Sequence, residues 1–106
     1  MDKIKEGEYY FVGDEQGSFV WDAEKEVLNI LKHRVDFRTA VKVFQDPGVR
    51  IFEDDRHSGE EKRFYAIGNV REGILTVRFT YRDEMIRIFG AGFWRKGRKH
   101  YEDKKK

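Results

Sequence analysis

Cysteine is absent from the 106 residues, proline occurs once, and no apolar run approaches the ~18 residues that cross a bilayer. Without cysteine there is no disulfide framework and no thiolate metal site. No repeat, linker or low-complexity tract divides the chain, so residues 1–106 read as one domain, long enough to bury a core without staples. The opening residues, MDKIKEGEYY, lack the apolar segment of a signal peptide; a cytoplasmic location with no membrane contact is the expectation. A large excess of one charge is also missing, with 22 Lys/Arg against 20 Asp/Glu.

What is there is aromatic and unevenly charged. Aromatics at 15% and hydrophobic residues at 39% exclude a disordered polyelectrolyte. Residues 1–61 hold nine Lys/Arg and fifteen Asp/Glu, a balance of −6; residues 62–106 hold thirteen and five, a balance of +8. The basic half attracts phosphates, and the acidic half limits indiscriminate adsorption to nucleic acid.

Periodicity places the elements. Tyr9–Val12 and Ser18–Trp21 read as short strands around a Gly-Asp-Glu-Gln-Gly turn. Asp22 caps a helix from Ala23 to about His33, with Val27, Leu28 and Leu31 as its expected buried stripe. Asp36 caps a second helix carrying Phe37, Ala40, Val41 and Phe44 on one face, and Asp46-Pro47-Gly48 stops it. The period then changes to two, giving strands over Val49–Glu53, Lys62–Asn69, Ile74–Tyr81 and Met85–Ala91. The class is α+β: two N-terminal helices packed on an antiparallel sheet, with a short basic C-terminal helix around Trp94–Tyr101 and a frayed basic tail over 102–106.

Strand alternation sorts the charges. Leu75, Val77, Phe79 and Tyr81 share one face; Thr80, Arg78, Arg82 and, from the next strand, Arg87 share the other, where Arg63 joins if its strand keeps register. One wet face is ordinary for an antiparallel sheet, but arginines without interleaved acids there suit an anion. Arginine holds phosphate oxygens in a bidentate fork and neutralises charge developing on a phosphorane. The adjoining stretch DDRHSGEEKR, Asp54–Arg63, reads either as a solvated loop or as acid–base machinery. In the second reading His57 exchanges protons near neutral pH, and Glu61 is the complementary base or holds His57 in orientation. Asp54, Asp55 and Glu60 are the set a divalent-metal reading would use, with clustering as its only support. His33, after Lys32 at a helix C-terminus, has an electrostatic reason to be there regardless of substrate. Trp94 and Trp21 offer faces for base stacking, although Trp21 is also placed to close the core.

In order and spacing, FVWDAEKEVLNILKH, VDFRTAVKVFQDP, DDRHSGEEKRFYAIG and LTVRFTYRDEMIRI resemble the BrnT family of toxins from bacterial type II toxin–antitoxin modules. The resemblance spans about Phe19 to Tyr101. It implies a RelE-like fold, a cofactor-free, metal-independent endoribonuclease that cleaves RNA to arrest translation, and a BrnA-like antitoxin that neutralises it. By matching position it points to Lys32 and His33, to Arg56, His57, Glu61 and Arg63, and to Thr80, Arg82 and Arg87. With the strand parity, this gives His57, Glu61, Arg63, Arg82 and Arg87 as the catalytic set. Lys32, His33, Arg56, Arg78, Thr80, Arg95, Lys96 and Arg98 are the RNA-binding set.

Three departures stand out. Arg34 replaces the glycine usual after Lys-His, at a helix end that favours positive φ. Gly90-Ala91-Gly92 replaces a Ser-Ala-Arg element, so a cation is expected to be missing at Gly92 and activity to be weakened. Residues 1–17 form an N-terminal extension with an extra strand. A catalytically weakened RNA- or protein-binding module on the same scaffold is the alternative.

Overall fold

The computed structural model describes residues 8–12 and 18–103. The turn over 13–17 and the tail over 104–106 lie outside the described residues. Six strands form one sheet: β1 (Glu8–Val12), β2 (Ser18–Asp22), β3 (Arg50–Glu53), β4 (Arg63–Val70), β5 (Gly73–Arg82) and β6 (Met85–Gly92), in the order β1-β2-β6-β5-β4-β3. The meander β3–β6 is antiparallel as expected, but β2 lies parallel to β6, pairing Phe19 with Ile86 and Trp21 with Ile88. The sheet is therefore mixed, correcting the purely antiparallel expectation. A parallel pair needs a long crossover, and the helices and meander between β2 and β6 supply it. For the same reason the helices are not N-terminal to the strands: α1 (Ala23–His33) and α2 (Phe37–Val41) connect β2 to β3.

Local chemistry sets the helix ends. Asp22 Oδ1 accepts from the backbone N–H of Glu24 at 2.8 Å and of Lys25 at 3.2 Å, and Asp36 Oδ1 accepts from Thr39 N–H at 2.7 Å. Arg34 ends α1 in the left-handed region at φ 60° and donates its N–H to Ile30 O, a conformation that glycine adopts at helix ends more readily than any other residue. After five residues α2 tightens into a 3₁₀ turn, Lys42–Gln45. Pro47 then holds Asp46 extended, at φ −71° and ψ 120°.

Leu75, Val77 and Phe79 of β5 face α2 and the 3₁₀ turn that follows it, joined by Phe19, Trp21, Phe37, Phe44, Ala66 and Ile88 in one core. The inward side of α1 is not the expected one. Asn29 is its buried residue, donating Nδ2–H to the carbonyls of Val35 and Ala91 and accepting from Ala91 N–H. Glu26 receives Trp21 Nε1–H and Phe37 N–H. These polar anchors satisfy backbone at the start of α2 and along β6, and they turn Val27, Leu28 and Leu31 outward, 55%, 60% and 71% exposed. Leu31→Lys is therefore expected to change stability by less than ~0.5 kcal/mol, read in a urea melt. A buried leucine would lose several times that.

The other sheet face is partly covered. The helix α3 (Arg95–Glu102) crosses β4 and β5 there, with Gly97 pressed onto Thr76 so closely that a Cβ would overlap its hydroxyl. Tyr101 reaches past the sheet to Asp46, donating its hydroxyl to Oδ2 at 2.6 Å, while Asn69 N–H donates to the same oxygen at 2.7 Å. The hydrogen bond to Asp46, with partial burial, pushes the Tyr101 phenol up to about 12. Because the folded value is raised, the stability this clasp contributes is full below the ordinary value of 10.0 and is lost as pH climbs through about 12. Tyr101→Phe should lower stability by about 1 kcal/mol at neutral pH. It should also flatten the fall above pH 10.0, which alkaline melts of both proteins would reveal.

Candidate functional site

Register lays out the face beneath α3 in rows. Arg63, Thr80 and Arg87 stand abreast across β4, β5 and β6; Phe52, Tyr65, Arg78 and Gly90 form the next row; Arg50, Ile67, Thr76 and Gly92 the third. A bulge in β6 between the first two rows makes Phe89 the extra residue. Its ring lies under two guanidinium groups, 4.9 Å from Arg63 and 5.2 Å from Arg78, and cation–π attraction draws both to it. Arg63, Arg78, Thr80 and Arg87 thus share a face, as strand parity predicted.

The face is not free of acids. Glu61 forms a bidentate pair with Arg82, at 2.9 Å to Nε and 3.0 Å to Nη2. The hydrogen bonds from Arg82 outweigh partial burial, and with the charges of Arg82, Arg63 and Arg87 they hold the Glu61 carboxyl below the usual carboxylate range. Glu61 therefore serves better as an organiser of arginines than as a proton acceptor. The expected arginine cluster without acids is corrected accordingly.

The loop Asp54–Lys62 is clamped at its neck. Asp54 N–H donates to Arg63 O at 2.7 Å, Ser58 Oγ donates to Asp54 O at 2.8 Å, and Arg63 N–H donates to Ser58 Oγ at 2.9 Å. Thr80 Oγ1–H reaches Lys62 O, tying the loop's exit to β5. Within it, Asp54 turns inward, 5% exposed, and its Oδ2 lies 2.8 Å from His57 Nδ1. Tyr65 also hydrogen-bonds this carboxylate. Burial alone would raise the Asp54 carboxyl, but the hydrogen bonds from His57 and Tyr65, reinforced by the charge of His57, bring it below its ordinary value. Burial and the Asp54 charge in turn raise the Tyr65 phenol, against the opposing charges of Arg78 and Arg56. So His57 is oriented by Asp54, where Glu61 was the expected partner. Among the described residues no group of three or more His, Asp or Glu is arranged to hold a metal.

His57, Arg78 and Tyr65 also line a cleft of about 590 Å³ between the sheet and α3, together with Lys96 and Trp94. His33 stands behind Trp94, edge-on at 5.1 Å, and Lys32 is exposed beside it, so this pair attends the Trp94 side of the cleft. Arg95 and Arg98 instead line a separate hollow with Glu72 and Phe93, and Arg98 pairs with Glu102 at 3.1 Å. Gly92 is no vacancy for a cation: a Cβ there would stand 2.5 Å from Trp94 Cε2. The indole packs on bare backbone, so an arginine at this position would displace Trp94 before adding charge. Asp54 entered the sequence reading only as a candidate metal ligand, and no role was expected for Tyr65 or Phe89; the Asp-x-x-His spacing within the loop was the one hint of the first.

The family model for the ribonuclease toxin BrnT of type II toxin–antitoxin systems matches residues 21–97, well over half of the chain. No match was found among curated proteins.

Proposed function

Because the chain belongs to the BrnT family, ribonuclease toxins of type II toxin–antitoxin systems, we propose that this face is a metal-independent endoribonuclease site on a RelE-like scaffold, arresting translation in the cytoplasm. The observation that carries the reading is His57 held at 2.8 Å by a buried carboxylate beside the arginine rows. With Nδ1 engaged, Nε2 takes the proton of the RNA 2′-hydroxyl. The 2′-oxygen attacks phosphorus, the bond to the 5′-oxygen breaks, and the leaving oxygen is protonated by water. Asp54 stabilises the imidazolium formed. Arg63 and Arg87, from the two strands that flank β5, stabilise the phosphorane oxygens, and Arg82 is set in place by Glu61. Arg56, Arg78 and Lys96 hold flanking phosphates; Lys32 and His33 extend that contact past Trp94, and Arg95 and Arg98 attract the strand at longer range.

The products should carry a 2′,3′-cyclic phosphate or a 3′-phosphate, and EDTA should leave the rate unchanged. Cleavage of DNA, or activity lost in chelator and restored by Mg²⁺, would overturn this chemistry. A BrnA-like antitoxin, presenting an acidic segment, neutralises the toxin by covering the same face. Its docking weakens with salt, since exposed charges are screened within about 8 Å. Hydrogen-exchange protection confined to the outer side of α1, around Leu28 and Leu31, would refute occlusion.

A further inference from the structure

The cleft beside the arginine rows is not lined like a phosphate site. Its floor is Ile67 from the third row, and its walls are the rings of Phe52, Tyr65 and Trp94. The ring of His100, 5.5 Å from Phe52, closes one end. Arg78 and Lys96 also line it, with one carboxylate, Glu53, and Arg78 joins it to the arginine rows. An apolar, ring-walled hollow with positive charge along one rim matches a nucleotide: the π-face of a base within, its phosphate at the edge.

We infer that this cleft takes one unpaired nucleobase of the RNA, next to the scissile phosphate, stacked against Trp94. The placement rests on the ribonuclease reading, because the proposed base His57 lines the cleft and Arg78 belongs at once to the cleft and to the arginine face. A base must leave its helix to enter, so the site selects single-stranded RNA. The close approach of Trp94 to Gly92 and of Gly97 to Thr76 keeps α3 and the indole seated while the space above Ile67 stays open.

Two tryptophans give a built-in control. Trp21 is 1% exposed and donates its Nε1–H to Glu26, whereas Trp94 is partly exposed at the cleft. Nucleoside 5′-monophosphates titrated into the full chain should shift the Trp94 indole N–H resonance saturably and leave that of Trp21 in place. Ribose 5-phosphate should shift neither. Phe52→Ala, on the edge strand, should weaken nucleotide binding at least tenfold with its melt unchanged; should it unfold, Lys96→Ala should weaken binding threefold or more. A Trp94 shift equal for ribose 5-phosphate, no shift at all, or full affinity in a folded Phe52→Ala protein overturns the inference. Nucleotide binding without RNA cleavage would instead overturn the ribonuclease reading, and cleavage without nucleotide binding would overturn this one alone.

Discussion

Asp54→Asn is expected to lower RNA cleavage by on the order of 10²–10⁴-fold while leaving the fold in place. The carboxylate is buried, 5% exposed, and in the proposed mechanism it acts through His57, whose Nδ1 lies 2.8 Å away. An amide of the same shape still bonds Tyr65, but it offers no charge to balance an imidazolium and no fixed preference for the Nδ1–H tautomer. Nitrogen NMR of the imidazole provides the readout that a merely structural role would not move. The native protein should show one tautomer and the variant a mixture. Stability gives a second signature. Because the folded-state Asp54 value is lowered, its contribution is present above the ordinary 3.8 and is lost as pH falls through the folded value. Asp54→Asn should therefore flatten the acid limb of the stability curve. Cleavage within threefold of native, with a single tautomer retained, would remove Asp54 from the mechanism.

The fold was legible where one rule acted alone. Caps at Asp22 and Asp36, the stop at Pro47 and the meander from β3 to β6 follow from local chemistry, and each stands where expected. The errors arose where two rules competed. On α1 the apolar periodicity of Val27, Leu28 and Leu31 lost to Asn29 and Glu26, because unpaired backbone at Ala91, Val35 and Phe37 is more costly to bury than leucine is to expose. The parallel partnership of β2 with β6 joins residues more than sixty apart, which no local pattern reports. At the site, alternation correctly gathered Arg63, Arg78, Thr80 and Arg87, yet it could not foresee the bulge that sets Gly90 opposite Arg78 and leaves the Phe89 ring against Arg63 and Arg78. Gly92 was expected to leave a cation missing; no local pattern could report that the indole two residues later packs where its side chain would stand.

Replacing Arg63 or Arg87 with alanine should each lower single-turnover cleavage on the order of 10²-fold, the loss typical of one preorganised donor to transition-state charge. The pair stands in one row, on either side of Thr80, so the two arginines approach a phosphorane from opposite flanks and neither substitutes for the other. Arg63 is exposed, and its removal should change stability by less than about 0.5 kcal/mol. Arg82→Ala is a different case. It frees Glu61 from a bidentate pair and leaves that carboxylate to neutralise Arg63 and Arg87 instead, so the rate should fall for a reason that Glu61→Gln in the same chain partly relieves. Lysine at 63 or 87 should recover little, because a point charge cannot reproduce the planar fork that grips two oxygens. Single-turnover rates at one salt concentration, beside circular dichroism melts, separate these outcomes. Full activity in all three alanine variants would reduce the arginines to a solvated sheet face. Loss in Arg82→Ala that Glu61→Gln deepens would return Glu61 to the chemistry itself.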